Sequence, residues 1–338
     1  MVRPFVSVVI PCRNEEKFIG RCLDSIVAND YPKDRLEILI VNGASTDKTR
    51  EIVEGYSKKY PFIKLLENPK ITTPISMNIG VKNAKGDIIM ITGAHSTYNP
   101  DYISKSVRYL EDYGADNVGG ALVTKPAVGT YSARAIALAL SSFFGTGGAS
   151  FRVGGGLPAQ AGKPRWVDTA FGGCFRKEVF RKIGYFNENL TRSQDMEFSI
   201  RLHKAGGKIL FAPDISTTYY PKTTFGSFFK HNIKDGIWAI LPMKYGAPPF
   251  KLRHLVSLFF VLGLIVPLII SIWLPPFYWL TAAVLALYLA VSLYFSASIS
   301  LKEKNILLLP FLVIAFAVRH FAYGIGSIIG LARLVFRI

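Results

Sequence analysis

The chain has 338 residues, enough for one large domain or two ordinary ones. Hydrophobic residues make up 50% of it and charged residues 19%, with a formal net charge of +17. That balance suits anionic partners such as acidic lipid headgroups or phosphorylated small molecules. No long Lys/Arg run and no nucleic-acid-binding signature is present, so a nucleic-acid partner is not expected. The averages hide a split, because a mixed polar and apolar pattern gives way to an apolar tail near residue 250. The three cysteines, Cys12, Cys22 and Cys174, have neither metal spacing nor an even framework, which predicts reduced thiols in a cytosol-facing domain. The first apolar run is short and ends at Pro11, so no signal peptide is expected.

The elements follow in chain order. Phe5–Ile10 is a β-branched run closed by Pro11 and predicts a buried strand. A polar turn, Cys12–Glu16, leads to helical spacing from Lys17 to Asn29. Leu36–Val41 predicts a second strand, which ends in Asn42-Gly43-Ala44-Ser45-Thr46-Asp47 before a helix over Arg50–Tyr60. Phe62–Glu67 reads as a third strand, Ile75–Ala84 as a helix, and Gly86–Thr92 as a fourth strand running into Gly93-Ala94-His95-Ser96. Strands alternating with helices imply an α/β fold with a mainly parallel sheet covered on both faces. Ligands of such sheets bind beyond the carboxyl ends of the strands, where the loops 12–16, 42–47 and 93–96 fall. No GxGxxG follows the first strand and no GxxxxGK[ST] is present, which disfavours a dinucleotide-binding domain and a P-loop.

Further on, Gly145–Gly156 is glycine-rich, which permits close backbone approach to a ligand, and Arg152 within it is placed to meet a phosphate. A plain connection is the competing reading of this loop. Trp166-Val167-Asp168 has the look of a short strand. Ser193 is an N-cap residue, Met196, Ile200 and Leu202 give a helical apolar stripe, and Gly206-Gly207 end it. Asp195 therefore stands in the first turn of a helix, where its carboxylate can take a proton from an incoming hydroxyl or merely complement the helix dipole. Glu197 is the competing carboxylate, turned away along the helix.

From residue 223 the pattern changes. Residues 223–250 alternate aromatic and aliphatic with basic positions, as in an amphipathic segment lying in a membrane interface or packing on protein. Residues 255–274 and 277–299 are expected to span a bilayer, and 306–334 is a third apolar stretch, interrupted by Arg319 and His320, that spans or lies in the interface. Lys251, Arg253, Lys302 and Lys304 flank the first two and predict cytoplasmic flanks. The expected organisation is a catalytic domain over 1–222, an interfacial segment over 223–250 and a membrane domain over 251–338, in a multi-pass protein of the cell membrane with its catalytic domain in the cytoplasm.

Several of these motifs occur together in one known family. Val8-Val9-Ile10-Pro11-Cys12-Arg13-Asn14-Glu15 resembles the opening VVIPxxNE of family 2 glycosyltransferases, and Val41–Thr49 resembles their VDDGSTDGT loop. Gly172-Gly173-Cys174-Phe175-Arg176, Gln194-Asp195 and Gly206-Gly207 are similar to the acceptor side of the same fold. Ser142–Gly155 brings the chain nearest to the succinoglycan-biosynthesis type. The matches cover about residues 5–240.

The resemblance implies a GT-A fold, a nucleotide-diphospho-sugar donor and a divalent cation (Mn²⁺ or Mg²⁺). A single displacement, with no Ser-His-Asp or Cys-His arrangement to form a covalent intermediate, would invert the anomeric carbon. A catalytic domain held at the cytoplasmic leaflet suits a polyprenyl- or dolichyl-linked or glycan acceptor, with membrane lipid as partner. The resemblance places Pro11, Arg13, Asn14, Glu15, Asn42, Ser45, Asp47, Gly93, Ala94 and His95 on the donor, and Asp195 as general base. It places Arg152, Gly172, Gly173, Gln194, Lys234 and Trp238 on the acceptor or the phosphates. Four departures stand out: Asn42 and Gly43 where Asp is common, Gly93 in place of the first Asp of the metal motif, and Gln194 in place of Glu. His95 is then the one side-chain metal ligand left in that motif, and imidazole suits Mn²⁺ better than Mg²⁺. Either His95 and the diphosphate hold the ion, or no ion is tightly held and Lys222, Lys230 or Lys234 neutralises the leaving group. The lost carboxylates also motivate a second reading, a catalytically silent relative that binds nucleotide-sugar or lipid and partners an active enzyme.

Overall fold

The computed structural model describes residues 3–148, 162–246 and 252–336. Its elements begin with β1 (Val6–Cys12), α1 (Ile19–Val27), β2 (Leu36–Asn42), α2 (Thr49–Lys59), β3 (Ile63–Glu67), α3 (Thr73–Asn83) and β4 (Ile88–Ile91). There follow β5 (Ser96–Tyr98), α4 (Tyr102–Asp112), β6 (Asn117–Thr124), α5 (Tyr131–Leu140), the single turn α6 (Phe143–Thr146), β7 (Arg165–Val167), β8 (Phe171–Arg176), α7 (Lys177–Ile183), α8 (Gln194–Lys204) and β9 (Ile209–Tyr219). The chain closes with α9 (Phe225–Ile240), α10 (Val256–Ile270), α11 (Phe277–Lys302) and α12 (Leu308–Phe336). The described residues of 1–123 and 154–219 form one compact unit, and those of 124–153 and 220–338 form another. The segment 124–148, which the sequence assigned to a continuous 1–222 domain, thus clusters with the C-terminal helices. Its helix α5 contributes Ala135, Ile136, Ala139 and Leu140 to an apolar core shared with Leu308, Leu312, Ala315 and Phe316 of α12.

The first unit is one nine-stranded sheet in the order β3-β2-β1-β4-β8-β6-β9-β5, with β7 on β9. Strands β1 to β4 are mutually parallel, with Val6 opposite Leu36 and Val6 opposite Ile88. β8 runs antiparallel to both β4 and β6. All seven positions of β2 are buried, as expected of a strand covered on both faces. Alternate residues serve opposite cores. Val6, Val8 and Ile10 pack with Ile19, Leu23 and Ile26 of α1, whereas Val9 packs with Val81 of α3 and the Phe175–Phe180–Phe198 group. α3 sits close on β1, since a Cβ at Gly80 would come within 2.2 Å of Val9 Cγ1. The one acidic side chain inside β2, Glu37, is satisfied by Ser7 Oγ at 2.7 Å, Lys85 N at 2.6 Å and Lys64 Nζ at 3.1 Å. The expected strands and helices of the first ninety residues appear within two or three residues of the predicted bounds.

The second unit is helical. α9 and α12 approach backbone to backbone through glycines: a Cβ at Gly236 would lie 2.1 Å from Tyr323 O, and one at Gly326 2.2 Å from Ile233 O. Gly326 and Gly330 form a small-x-x-x-small face of the kind that lets apolar helices touch closely. α9 buries Phe228, Asn232, Gly236, Ala239 and Ile240 and leaves Lys230 and Lys234 exposed. From residue 308 the stretch 306–334 lies in a single 29-residue helix, α12, which runs on to Phe336 and is continuous through Arg319 and His320. Both polar side chains find protein partners. Arg319 donates to Gly145 O and Asn232 Oδ1, and His320 Nε2 lies 3.0 Å from Phe144 O. Among the described residues two helices are long and apolar enough to cross a membrane, α11 and α12. The stretch expected to span over 255–274 is helical for only the 15 residues of α10, about 22 Å against a ~30 Å hydrocarbon core.

Candidate active site

A cavity of about 400 Å³ opens at the carboxyl ends of β1 and β4. This is where a parallel sheet binds its ligands. Pro11, Cys12, Arg13 and Glu15 line it from the β1 loop, and Thr92, Gly93, Ala94 and His95 from the β4 loop. Gly172 joins from β8, Gln194 and Asp195 from the start of α8, and Tyr219 from the end of β9. Its volume falls in the range of small-molecule sites.

The β1 loop is held in shape by the β2 loop. Asn14 takes a left-handed φ of 55°. Its N–H donates to Ser45 Oγ at 3.0 Å, and its Oδ1 accepts from Thr46 N at 2.8 Å. Glu15 N donates to the fully buried Thr49 Oγ1 at 2.7 Å, and Glu16 N to Asp47 Oδ2 at 3.1 Å. Asp47 Oδ1 also accepts from Thr49 N at 3.0 Å. Slight burial pushes the Asp47 carboxyl up, but the hydrogen bonds from Thr49 and Glu16 outweigh it and hold the group below the usual range. Asn42 is buried, donates to Glu67 Oε2 at 3.0 Å and accepts from Ser45 N at 3.2 Å. An aspartate there could not donate to Glu67 and would set two carboxylates side by side, which accounts for the amide at this position.

The β4 loop is pinned by Tyr98, whose buried hydroxyl accepts from Gly93 N at 2.7 Å and donates to Gly93 O at 3.1 Å. Beyond it His95 Nδ1 lies 3.1 Å from Glu15 Oε1, with the Tyr219 ring centroid 6.0 Å away. Asp195 stands in the first turn of α8, exposed and facing the cavity. The helix is entered through Ser193 at a left-handed φ of 60°, with no side-chain capping bond, so the expected serine cap is replaced by a backbone turn. Glu197 points into protein and pairs with Arg201, which also donates to Ile183 O and Tyr185 O. That pairing separates the two carboxylates of the helix by environment. Cys12, on the cavity wall, has its thiol pushed up to about 12 by burial first and by the Glu15 carboxylate second.

The cavity brings together Pro11, Arg13, Glu15, Gly93, Ala94, His95, Gly172, Gln194 and Asp195 from the sequence-derived set. Asn14, Asn42, Ser45 and Asp47 are not on its wall; their side chains tie the loops behind it. Gly173 lies within β8 opposite Ile91, packed under the Phe175 ring. Lys234 and Trp238 belong to α9 of the other unit, and Arg152 lies outside the described residues. Sequence reasoning missed Thr92, Asn117, Ser199 and Tyr219, which line the cavity from four separate elements. Only the position of Thr92 beside the Gly93 motif offered a signal.

The family model for glycosyl transferase family 2 matches residues 7–184, which hold the β1, β2 and β4 loops and β8. The chain belongs to glycosyl transferase family 2. It is 32% identical over 240 residues to the dolichyl N-acetyl-alpha-D-glucosaminyl phosphate 3-beta-D-2,3-diacetamido-2,3-dideoxy-beta-D-glucuronosyltransferase of Methanococcus voltae, covering 69% of this chain and 72% of that one. To the succinoglycan biosynthesis protein ExoA of Rhizobium meliloti it is 30% identical over 253 residues, 70% of this chain and 74% of that one. The mannosyltransferase PcManGT from Pyrobaculum calidifontis, solved with GDP-Man and Mn²⁺, aligns over 98% of this chain and 88% of its own at a TM-score of 0.60 and 23% identity. The GT-A fold and glycosyltransferase class are thereby shown, and the family member is an enzyme.

Proposed function

We propose that this family 2 enzyme transfers a sugar, with inversion, from a nucleotide-diphospho-sugar to a lipid-linked or glycan acceptor at a membrane, with Asp195 as general base. The observation that carries the reading is the position of Asp195: exposed, at the head of α8, on the same 400 Å³ cavity as Arg13, Glu15 and His95. The acceptor hydroxyl gives its proton to the Asp195 carboxylate as its oxygen attacks the anomeric carbon. The bond from that carbon to the diphosphate oxygen breaks on the opposite face, so one displacement inverts the centre. Arg13, at the mouth of the β1 loop, is suited to the charge that gathers on the departing diphosphate. A hydroxyl-rich ligand also suits the wall, where the buried oxygens Thr92 Oγ1, Asn117 Oδ1 and Gln194 Oε1 have no protein partner.

The donor set bears on the cation. Among the described residues no three or more His, Cys, Asp or Glu are grouped to hold a metal ion. His95 offers an imidazole on the cavity wall, with the Glu15 carboxylate on its other ring nitrogen, which fits an ion whose other ligands come from a diphosphate. A bound Mn²⁺ or Mg²⁺ would supply positive charge against the leaving diphosphate. The Mn²⁺ named with the Pyrobaculum calidifontis enzyme supports this choice.

The catalytic unit belongs, on this reading, to a membrane protein. α11 and α12 measure about 39 and 44 Å, and Leu287, Leu293 and Trp279 stand exposed on α11. The basic positions 251, 253, 302 and 304 favour a cytoplasmic catalytic face. The dolichyl phosphate in the name of the Methanococcus voltae relative supports a lipid-linked acceptor. Purified full-length protein in lipid nanodiscs, given UDP-, GDP- and dTDP-sugars, tests the assignment. Asp195→Asn is expected to lose about 10²- to 10⁴-fold in turnover while nucleotide still raises its melting temperature. Wild-type turnover in that variant rules out Asp195 as the base.

A further inference from the structure

We propose that Glu15 is a positioning residue for His95, holding the Nδ1–H tautomer so that Nε2 presents its lone pair to the cavity. This rests on the reading of the cavity as a donor site with a cation.

Three observations converge on the pair. The carboxylate Oε1 lies 3.1 Å from His95 Nδ1, across eighty positions of sequence. Both partners are tied to buried anchors. Glu15 donates its N–H to Thr49 Oγ1 and accepts at its carbonyl from Phe18 N and Ile19 N, each at 2.9 Å. His95 follows a loop fixed at Gly93 by the Tyr98 hydroxyl, and the Tyr219 ring borders its other side. Both side chains line the cavity, Glu15 at 21% exposure and His95 at 45%, so the carboxylate is the more sheltered member of the pair.

Neutral imidazole has one donor and one acceptor nitrogen, and the hydrogen bond made by one decides what the other can do. A carboxylate can only accept, so Nδ1 must carry the proton and Nε2 the lone pair. A ligating histidine commonly has its second nitrogen held in this way. In a motif that has lost its first aspartate, the fixed tautomer makes the one remaining imidazole a committed donor toward a cation. Nothing else in the loop clamp uses the Glu15 side chain, because the clamp bonds run through its backbone.

The test uses full-length protein in nanodiscs with Mn²⁺ titrated alone and with UDP or GDP, followed by electron paramagnetic resonance. It also reads the ¹⁵N shifts of His95 at a pH where imidazole is neutral. Glu15→Ala is expected to weaken Mn²⁺–nucleotide binding about 10- to 100-fold and to mix the two tautomers. Glu15→Gln, whose amide oxygen still accepts from Nδ1, is expected to recover most of the affinity and a single tautomer. Thermal melts show whether each variant is folded. Wild-type Mn²⁺ binding and an unchanged tautomer in Glu15→Ala overturn the proposal while leaving the donor site standing. If His95→Ala also binds Mn²⁺ like the wild type, the cation reading itself fails, and the role given to Glu15 goes with it.

Discussion

Asn14 is held at a φ of 55° and closes the β1 loop onto the β2 loop through Ser45 and Thr46. Asparagine tolerates that backbone better than alanine does, and alanine also lacks the acceptor for Thr46 N. Asn14→Ala is therefore expected to lower stability by about 1–3 kcal/mol in chemical denaturation and to raise KM for the donor more than it lowers kcat. A variant with normal KM would remove the loop clamp from the account of the site. Cys12 shows the opposite kind of residue effect. Burial keeps its thiol protonated, with a pKa of about 12, so at neutral pH it is a poor nucleophile despite its place on the cavity wall. Maleimide is expected to leave Cys12 unmodified in folded protein and to label it after denaturation, as mass spectrometry of the peptide would show. Asp47 and Asp195 look alike in sequence, yet one bonds backbone N–H groups and the other faces the cavity. The resemblance to family 2 gave them different roles, donor contact and general base; the loop paths put Asp47 off the cavity wall and Asp195 on it.

At the scale of elements, the parallel half of the sheet follows from unbroken apolar runs. β1, β2 and β4 are each short, β-branched and buried on both faces. Glu37 is the exception inside β2. Burial pushes its carboxyl up, but the hydrogen bonds from Lys85 N, Ser7 and Lys64 more than offset this and lower it from the ordinary 4.5. The unfolded chain then takes up the proton first as pH falls. The contribution of Glu37 is fully present above 4.5 and is lost as pH drops through the lower folded value. Glu37→Leu should remove that acid-sensitive part of the melting profile, and an unchanged profile would show that Glu37 does not drive it. α3 lies so close to β1 that Gly80→Ala, which meets Val9, is expected to cost about 1–3 kcal/mol in thermal or urea melts. β8 escaped the sequence reading because Gly172-Gly173 reads as a loop motif, β5 because Ser96-Thr97-Tyr98 has no clear apolar face, and β9 because Pro213 and Asp214 break the apolar run Ile209–Ala212. Antiparallel additions of this kind take their order from neighbours already in place.

Over the whole molecule, the pattern along the chain separates alternating strands and helices from an apolar tail, and the family match over 7–184 agrees with the loops read from sequence. Expressed protein is expected to stay with membranes through alkaline carbonate extraction and to dissolve only in detergent; release by carbonate would argue against spanning helices. The sequence by itself determined the class of fold, the succession of the first four strands along the chain, the family and the long apolar helix after Pro276, because these depend on local pattern and length. That 306–334 gives a long helix and 255–274 a short one was settled only in the structure. Tertiary structure alone decided that Glu15 meets His95, that Asn42 turns to Glu67, and that 124–148 joins the C-terminal helices. Such contacts span tens of residues of chain. Periodicity reports which face of an element is buried, but the partner it meets there is set only when the sheet order and the loop paths close.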